Sequence, residues 1–171
     1  TVLRAGEYVR ALDVDPTNTY IAAGFSSSFR LQIFLRTGTT FSTWVLPSSS
    51  ISVYALKYSP DGKYLAVGRS SAPRVVVYII TDTYDYVEAA LTTPSASTVY
   101  SCAWTSDAKY LAVGNSSTQI IIYTRTDNTF AFTNEPDVSP TNAVYALAFS
   151  PDDATLLAGA YTSPYVWRYS H

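Results

Sequence analysis

The chain has 171 residues, a formal net charge of −2 and only 14% charged residues, where about a quarter is usual; this is long enough for one domain with its own core. There is no basic footprint for nucleic acid or anionic lipid, and no apolar run near the ~20 residues of a membrane span, so the composition argues against both partners. One cysteine, Cys102, precludes an intrachain disulfide and reads as a buried free thiol, while one histidine, His171, leaves no histidine-based triad or His-cluster metal site.

In chain order, TVLRAG (1–6) is a short strand-like segment with no secretory apolar stretch after it. Its lack of a methionine is expected from removal of an initiator or from excision of a domain. VRALDVDPTNTYIAAGFSSS (9–28) then alternates apolar and polar residues, turns at Asp-Pro-Thr-Asn, and alternates again. RLQIF (30–34) and FSTWVL (41–46) follow as third and fourth strands. The same order recurs in VYALKYSPDGKYLAVGRSSA (53–72), RVVVY and YVEAAL, and in VYSCAWTSDAKYLAVGNSST (99–118), QIIIY and FAFT. It begins again in VYALAFSPDDATLLAGAYTS (144–163) and stops after YVWRY (165–169).

Two markers fix the period. Gly24, Gly68, Gly114 and Gly159 close the second strands, and Pro16, Pro60, Ser106 and Pro151 mark the turns; both series step by 44, 46 and 45 residues. A period near 45 with β alternation and no helical periodicity predicts an all-β propeller of four blades, each of four antiparallel strands, over a single domain 1–171. The blade repeats fall at approximately 8–52, 53–98, 99–143 and 144–171, the last completed by 1–7. Pairing residues 1–5 against 165–169 would cover an edge that is otherwise open to aggregation. Val2, Leu3, Val166 and Arg168 are the closure or assembly residues on this reading. Arg168 is singled out because Ile33, Val77 and Ile122 hold its place elsewhere, and it is expected to meet a carboxylate at a junction. The alternative is that the chain forms half of an eight-bladed ring made by two chains.

These phrases resemble WD-repeat blades over nearly the whole chain, with departures. The aspartate that WD repeats carry after the second strand is replaced by Ser or Thr, and the tryptophan position holds Phe34, Tyr78, Tyr123 and Tyr169. The phrases at 149–152, 110–114, 70–73 and 121–130 are similar to WD-like repeats of tailed-bacteriophage virion proteins and bacterial surface proteins. That resemblance implies a virion or extracellular-surface component that binds rather than catalyses; a cytoplasmic location is the alternative.

One position reads as a binding site. Arg10, Tyr54, Tyr100 and Tyr145 each follow the valine that opens an inner strand, so blade symmetry gathers them about the axis. Tyrosine offers a large contact area with few rotors to freeze and a polar tip; packing between blades is the competing reading. The Ser/Thr loops at 26–28, 70–71, 116–118 and 162–163 read as turn chemistry, and Asn115-Ser116-Ser117 as a chance glycosylation pattern. Asp13 and Asp15 of DVDPTN, like Asp152 and Asp153, read as solvated turn residues rather than a calcium site. With no phosphate-binding glycine loop and no metal-ligand cluster, the expected function is non-enzymatic, with no cofactor and no metal. It is a structural and recognition module that binds other proteins, within a homo-oligomer or larger assembly. A carbohydrate-binding propeller is the alternative, and a glycosidase the weaker one.

Overall fold

The computed structural model describes residues 8–26, 31–44, 51–81, 83–93, 95–117, 119–134 and 140–170. Within them the chain is all β. The first sheet is β1 (Val9–Val14), β2 (Tyr20–Phe25), β3 (Leu31–Thr37) and β4 (Thr40–Trp44), hydrogen-bonded in that order. The second is β5 (Val53–Tyr58), β6 (Tyr64–Arg69), β7 (Val75–Ile80) and β8 (Tyr86–Glu88). The third has β10 (Val99–Trp104), β11 (Tyr110–Asn115), β12 (Ile120–Thr126) and β13 (Thr129–Asn134), with β9 (Ala90–Leu91) added at its outer edge. The fourth holds β14 (Val144–Phe149), β15 (Thr155–Ala160) and β16 (Val166–Ser170). Each sheet is antiparallel except where β9 lies parallel to β13, pairing Ala90 with Thr129 and Leu91 with Phe130. YVEAAL, expected as one outer strand, is therefore two: its first half completes the second sheet and its second half joins the third. The split follows the backbone, because Ala89 N–H donates to Val77 O in its own blade, whereas Thr92 N–H donates to Phe130 O in the next.

The sheets stack like blades. Inner strand β1 packs on β5, β5 on β10 and β10 on β14. The core lies in the seams. Tyr20, Ala22, Leu31 and Ile33 of the first blade meet Leu56, Tyr58, Leu65, Val67, Val76 and Tyr78 of the second. Ala55, Ala66, Val75 and Val77 meet Cys102, Trp104, Leu111, Val113 and Tyr123 in the next seam. Ala112 and Ile120 meet Val144, Leu156 and Ala158 in the last. A middle blade is covered on both faces, so β6 is buried at every residue. The fourth blade is covered on one face only, and β15 returns to alternation, with Leu156 and Ala158 buried and Leu157 exposed.

Leu12 and Val14 of the first blade and Leu157 and Val166 of the fourth are exposed, so among the described residues the end blades do not cover one another. The expected closing strand, with Val2 and Leu3, lies outside the described residues.

The turns are held by a shared hydrogen-bond pattern. Ser59 Oγ donates to Asp61 at 2.6 Å and accepts Tyr64 N–H at 3.0 Å. Thr105 with Asp107 and Tyr110, and Ser150 with Asp152 and Thr155, repeat it. In the first blade acid and hydroxyl exchange places: Asp15 accepts from Thr17 Oγ1 and, at 2.6 Å, from Tyr20 N–H. Asp15 is thus buried rather than solvated as expected, its carboxylate replacing the serine that otherwise orders the turn. Asp13 is also engaged, accepting Tyr58 N–H at 2.6 Å and Lys57 Nζ at 3.0 Å across the first seam. Asp153 crosses the last seam, accepting from Ser106 N–H at 2.9 Å.

Candidate functional site

The four singled-out residues occupy the same backbone irregularity in every blade. The register between first and second strands shifts between Val9 and Ala11, Val53 and Ala55, Val99 and Ser101, and Val144 and Ala146. The residue left over each time is Arg10, Tyr54, Tyr100 or Tyr145. A β-bulge leaves one residue out of the ladder and re-aims its side chain. Here it turns four side chains out of the seams towards the end of the arc where the inner strands begin.

There they form a continuous row. The Arg10 guanidinium lies over the Tyr54 ring at 4.5 Å, a cation–π contact. Tyr54 meets Tyr100 edge-on at 5.4 Å, and Tyr100 stacks on Tyr145 at 4.7 Å with planes 16° apart. Together with Val9 they line an open depression of about 630 Å³. Burial, then the neighbouring Tyr145 and Tyr54 hydroxyls, raise the Tyr100 phenol above its ordinary value against a lowering pull from Arg10, so Tyr100 stays a neutral phenol across the physiological range. The rings neither bury themselves fully nor stand apart: Tyr54 and Tyr100 are half-buried and Tyr145 is 51% exposed.

The row extends one residue further than the sequence indicated. Tyr161, 71% exposed, lies 6.2 Å from Tyr145. It stands where Ser26, Ser70 and Ser116 stand in the other blades, and that break in symmetry within YTSP was the available signal. The other Ser loops serve the fold. Ser52 Oγ donates to Ser26 O at 2.9 Å and Thr98 Oγ1 to Ser70 O at 3.2 Å, pinning each loop to the next blade. Asn115 is fully buried, its amide turned to Ser95 and Gln119, which removes it as a glycosylation acceptor. Of the closure residues, Val166 and Arg168 are exposed on the outer face of the fourth blade, and Arg168 meets no carboxylate among the described residues.

At two of the four positions that carry tryptophan in the resembled repeats, a buried tyrosine hydroxyl makes a hydrogen bond instead. The Tyr78 hydroxyl accepts from Arg69, and Tyr123 donates to Thr93 O at 2.7 Å. The repeat itself is nonetheless diagnostic: residues 40–76, 88–124 and 136–167, more than half of the chain, match the WD40 family (WD domain, G-beta repeat). The chain is a WD40-repeat protein. Each matched unit of this WD40 chain begins beyond the inner three strands of one blade and ends within the third strand of the next, so the family repeat is offset from the sheet.

No curated protein sequence matches the WD40 chain. Among solved structures it is similar to a candidate 6-phosphogluconolactonase from Bacteroides uniformis, with 17% identity, a TM-score of 0.79, and coverage of 99% of this chain and 52% of that one. It is also similar to a chain of the mitotic checkpoint complex, with 18% identity, a TM-score of 0.71, and coverage of 95% and 49%. At these identities the likeness is one of fold. The WD40 chain spans about half the length of the structures it matches. WD40 propellers are protein–protein interaction modules and generally not enzymes, and the lactonase likeness carries no catalytic residue across.

Proposed function

We propose that this WD40 chain is a non-enzymatic recognition module that grips a segment of another protein along the row Arg10–Tyr54–Tyr100–Tyr145. The observation that supports this reading is the repeated bulge, which sets four side chains side by side on a rigid frame before any partner arrives. Binding to such a surface freezes few rotors, so little ordering entropy opposes it. Arg10 at one end favours a partner carrying a carboxylate there, with apolar or aromatic residues following along the rings.

The module works within a homo-oligomer or larger assembly. Its low charge, its 15 tyrosines and its virion-like phrases support a place in a phage virion or on an extracellular surface. A carbohydrate ligand is the second reading, favoured by the exposure of Tyr145 and Tyr161. The stacking of Tyr100 on Tyr145 weighs against it, because a sugar needs a free ring face and here the faces cover one another.

The test is selection from a displayed random-peptide library, in parallel with a glycan array, for the wild type and for Tyr100→Ala and Arg10→Ala. The reading expects peptides whose binding falls at least tenfold in Tyr100→Ala, with an acidic residue whose benefit disappears in Arg10→Ala. Peptides that bind Tyr100→Ala equally well, or ligands found only among glycans, overturn it.

A further inference from the structure

The loops that follow β6 and β11 are built alike but end in opposite chemistry. In the third blade Asn115 and Gln119 close the loop where the β11–β12 ladder runs out, and Asn115 N–H donates to Gln119 O at 3.1 Å. That pair satisfies itself. Asn115 Oδ1 accepts Ser117 N–H at 2.8 Å and Gln119 N–H at 3.3 Å, while its Nδ2 donates to Gln119 Oε1 at 3.4 Å and Ser95 Oγ at 3.3 Å. The second blade closes the same loop with two arginines, Arg69 N–H donating to Arg74 O at 2.7 Å.

Arg69 and Arg74 follow Gly68 and Val75 in the ladder, so their side chains leave one face of the sheet, the face on which Val67 and Val76 enter the first seam. Like charges directly opposite one another repel, and a guanidinium has donors but no acceptor, so neither arginine replaces the Asn115 oxygen. Arg69 is 3% exposed and Arg74 half-buried, and Nε of each is buried without a hydrogen-bond partner. Arg69 also donates to the Tyr78 hydroxyl, which the exposed Glu88 reaches from the outer strand. Neither arginine forms an ion pair among the described residues, whereas at the other end of the blades Lys57 pairs with Asp13 and Arg125 with Asp61. The N–H groups of Ser71 and Arg74, counterparts of the two that Asn115 receives, find no acceptor among the described residues. The second blade has a neighbour on each face, so this shortfall belongs to the loop and not to an uncovered sheet. The loop 26–30 and the link 45–52, which precede the second blade, contain no aspartate or glutamate.

We propose that this loop is an oxyanion site, in which a phosphate-type dianion supplies the acceptor oxygens that Asn115 supplies in the third blade. The anion cancels the repulsion between the two guanidiniums and accepts from the loop amides. Its class follows from charge and donors. Two guanidiniums against one Glu88 leave positive charge over, and donors on two side chains and the backbone suit an anion with three or more oxygens better than a carboxylate with two. The loop is held in place before the anion arrives: Ser70 N–H donates to Ser52 O at 3.0 Å, and Thr98 Oγ1 donates to Ser70 O at 3.2 Å. Ser71, Ala72 and Pro73 are exposed and give the entrance from solvent. The site is independent of the tyrosine row as a peptide site.

The experiment follows thermal unfolding of the 171-residue chain by tryptophan fluorescence while inorganic phosphate is titrated against sodium chloride at equal ionic strength. The wild type is expected to gain about 3–5 °C over the chloride control once phosphate exceeds its dissociation constant about tenfold, and then to level off. Arg74→Gln is expected to lose most of that gain. Arg69→Asn combined with Arg74→Gln installs the pair with which the third blade already folds, and is expected to unfold at the same temperature in both salts. A wild type that responds no more to phosphate than to chloride overturns the proposal, as does a phosphate gain kept by the double variant. Glycerol phosphate in place of phosphate separates the sources of the anion: an equal gain assigns the loop a phosphoryl group carried on a larger ligand, and no gain assigns it the free ion. Tyr100→Ala is expected to keep the phosphate gain, so this site and the peptide row fail separately.

Discussion

Val99 sits directly over Gly68: a Cβ on that glycine would lie 2.5 Å from the valine Cγ1 and 2.9 Å from the valine carbonyl oxygen. The backbone contact leaves no side-chain rotation that could relieve the clash. Gly68→Ala is therefore expected to force the second and third blades apart and to destabilise the chain by about 1–3 kcal/mol, the usual cost of overpacking a close seam. Thermal unfolding followed by circular dichroism measures it; an unchanged melting temperature would mean that the seam yields freely.

The same seam carries a hydrogen bond. The Trp104 indole N–H donates to Lys57 O at 3.1 Å from a side chain that is itself buried. Trp104→Phe keeps a ring but removes the indole donor that crosses the seam, so a loss of about 1 kcal/mol is expected in urea unfolding. A cost no larger than that of a surface substitution would show that the carbonyl finds another donor.

Acid should loosen the turns. Burial raises the Asp61 carboxyl, but donation from Ser59, Arg125 and Lys63 outweighs it, and the group titrates below its ordinary 3.8. A carboxylate with a lowered folded pKa adds stability above the unfolded value, and that stability disappears as pH falls through the folded value. Asp107 is lowered in the same way by Thr105 and Lys109. Asp61→Asn is expected to lower stability at neutral pH and to flatten its decline below pH 4, read from urea midpoints at several pH values. Parallel profiles for wild type and variant would remove Asp61 from the acid response.

Cys102 is 8% exposed, and desolvation by burial pushes its thiol up to about 12. The reactive thiolate is thus scarce at pH 8, and the thiol has no open path to a reagent. Iodoacetamide is expected to leave the folded chain unmodified at pH 8 and to label it once in denaturant, as mass spectrometry would show. Fast labelling of the folded chain would mean that the seam opens locally.

The strands and their period were legible because alternation, turn residues and the recurring glycine all point the same way, and the turns carry the expected reversal. Asn18, Gly62, Ala108 and Asp153 share a left-handed backbone there, although only one of them is glycine. The tyrosine positions were legible from spacing alone. Their common cause, a bulge at each one, was not, since an extra residue in a strand leaves no mark when every repeat has it. Asp15 was misjudged because the exchange of acid and hydroxyl between it and Thr17 is visible only when the four turns are superposed. YVEAAL hid its division because apolar alternation does not say which sheet a strand will join.

That division makes the blades inseparable in a way their periodicity conceals. Ala90 and Leu91 lie in the second repeat of the sequence but form the outermost strand of the third sheet. A recombination event or an engineer that deletes, duplicates or swaps one 45-residue unit would carry off a strand belonging to its neighbour and leave β13 with a bare edge. Exchange of a whole repeat is therefore expected to be tolerated only where no strand has crossed over.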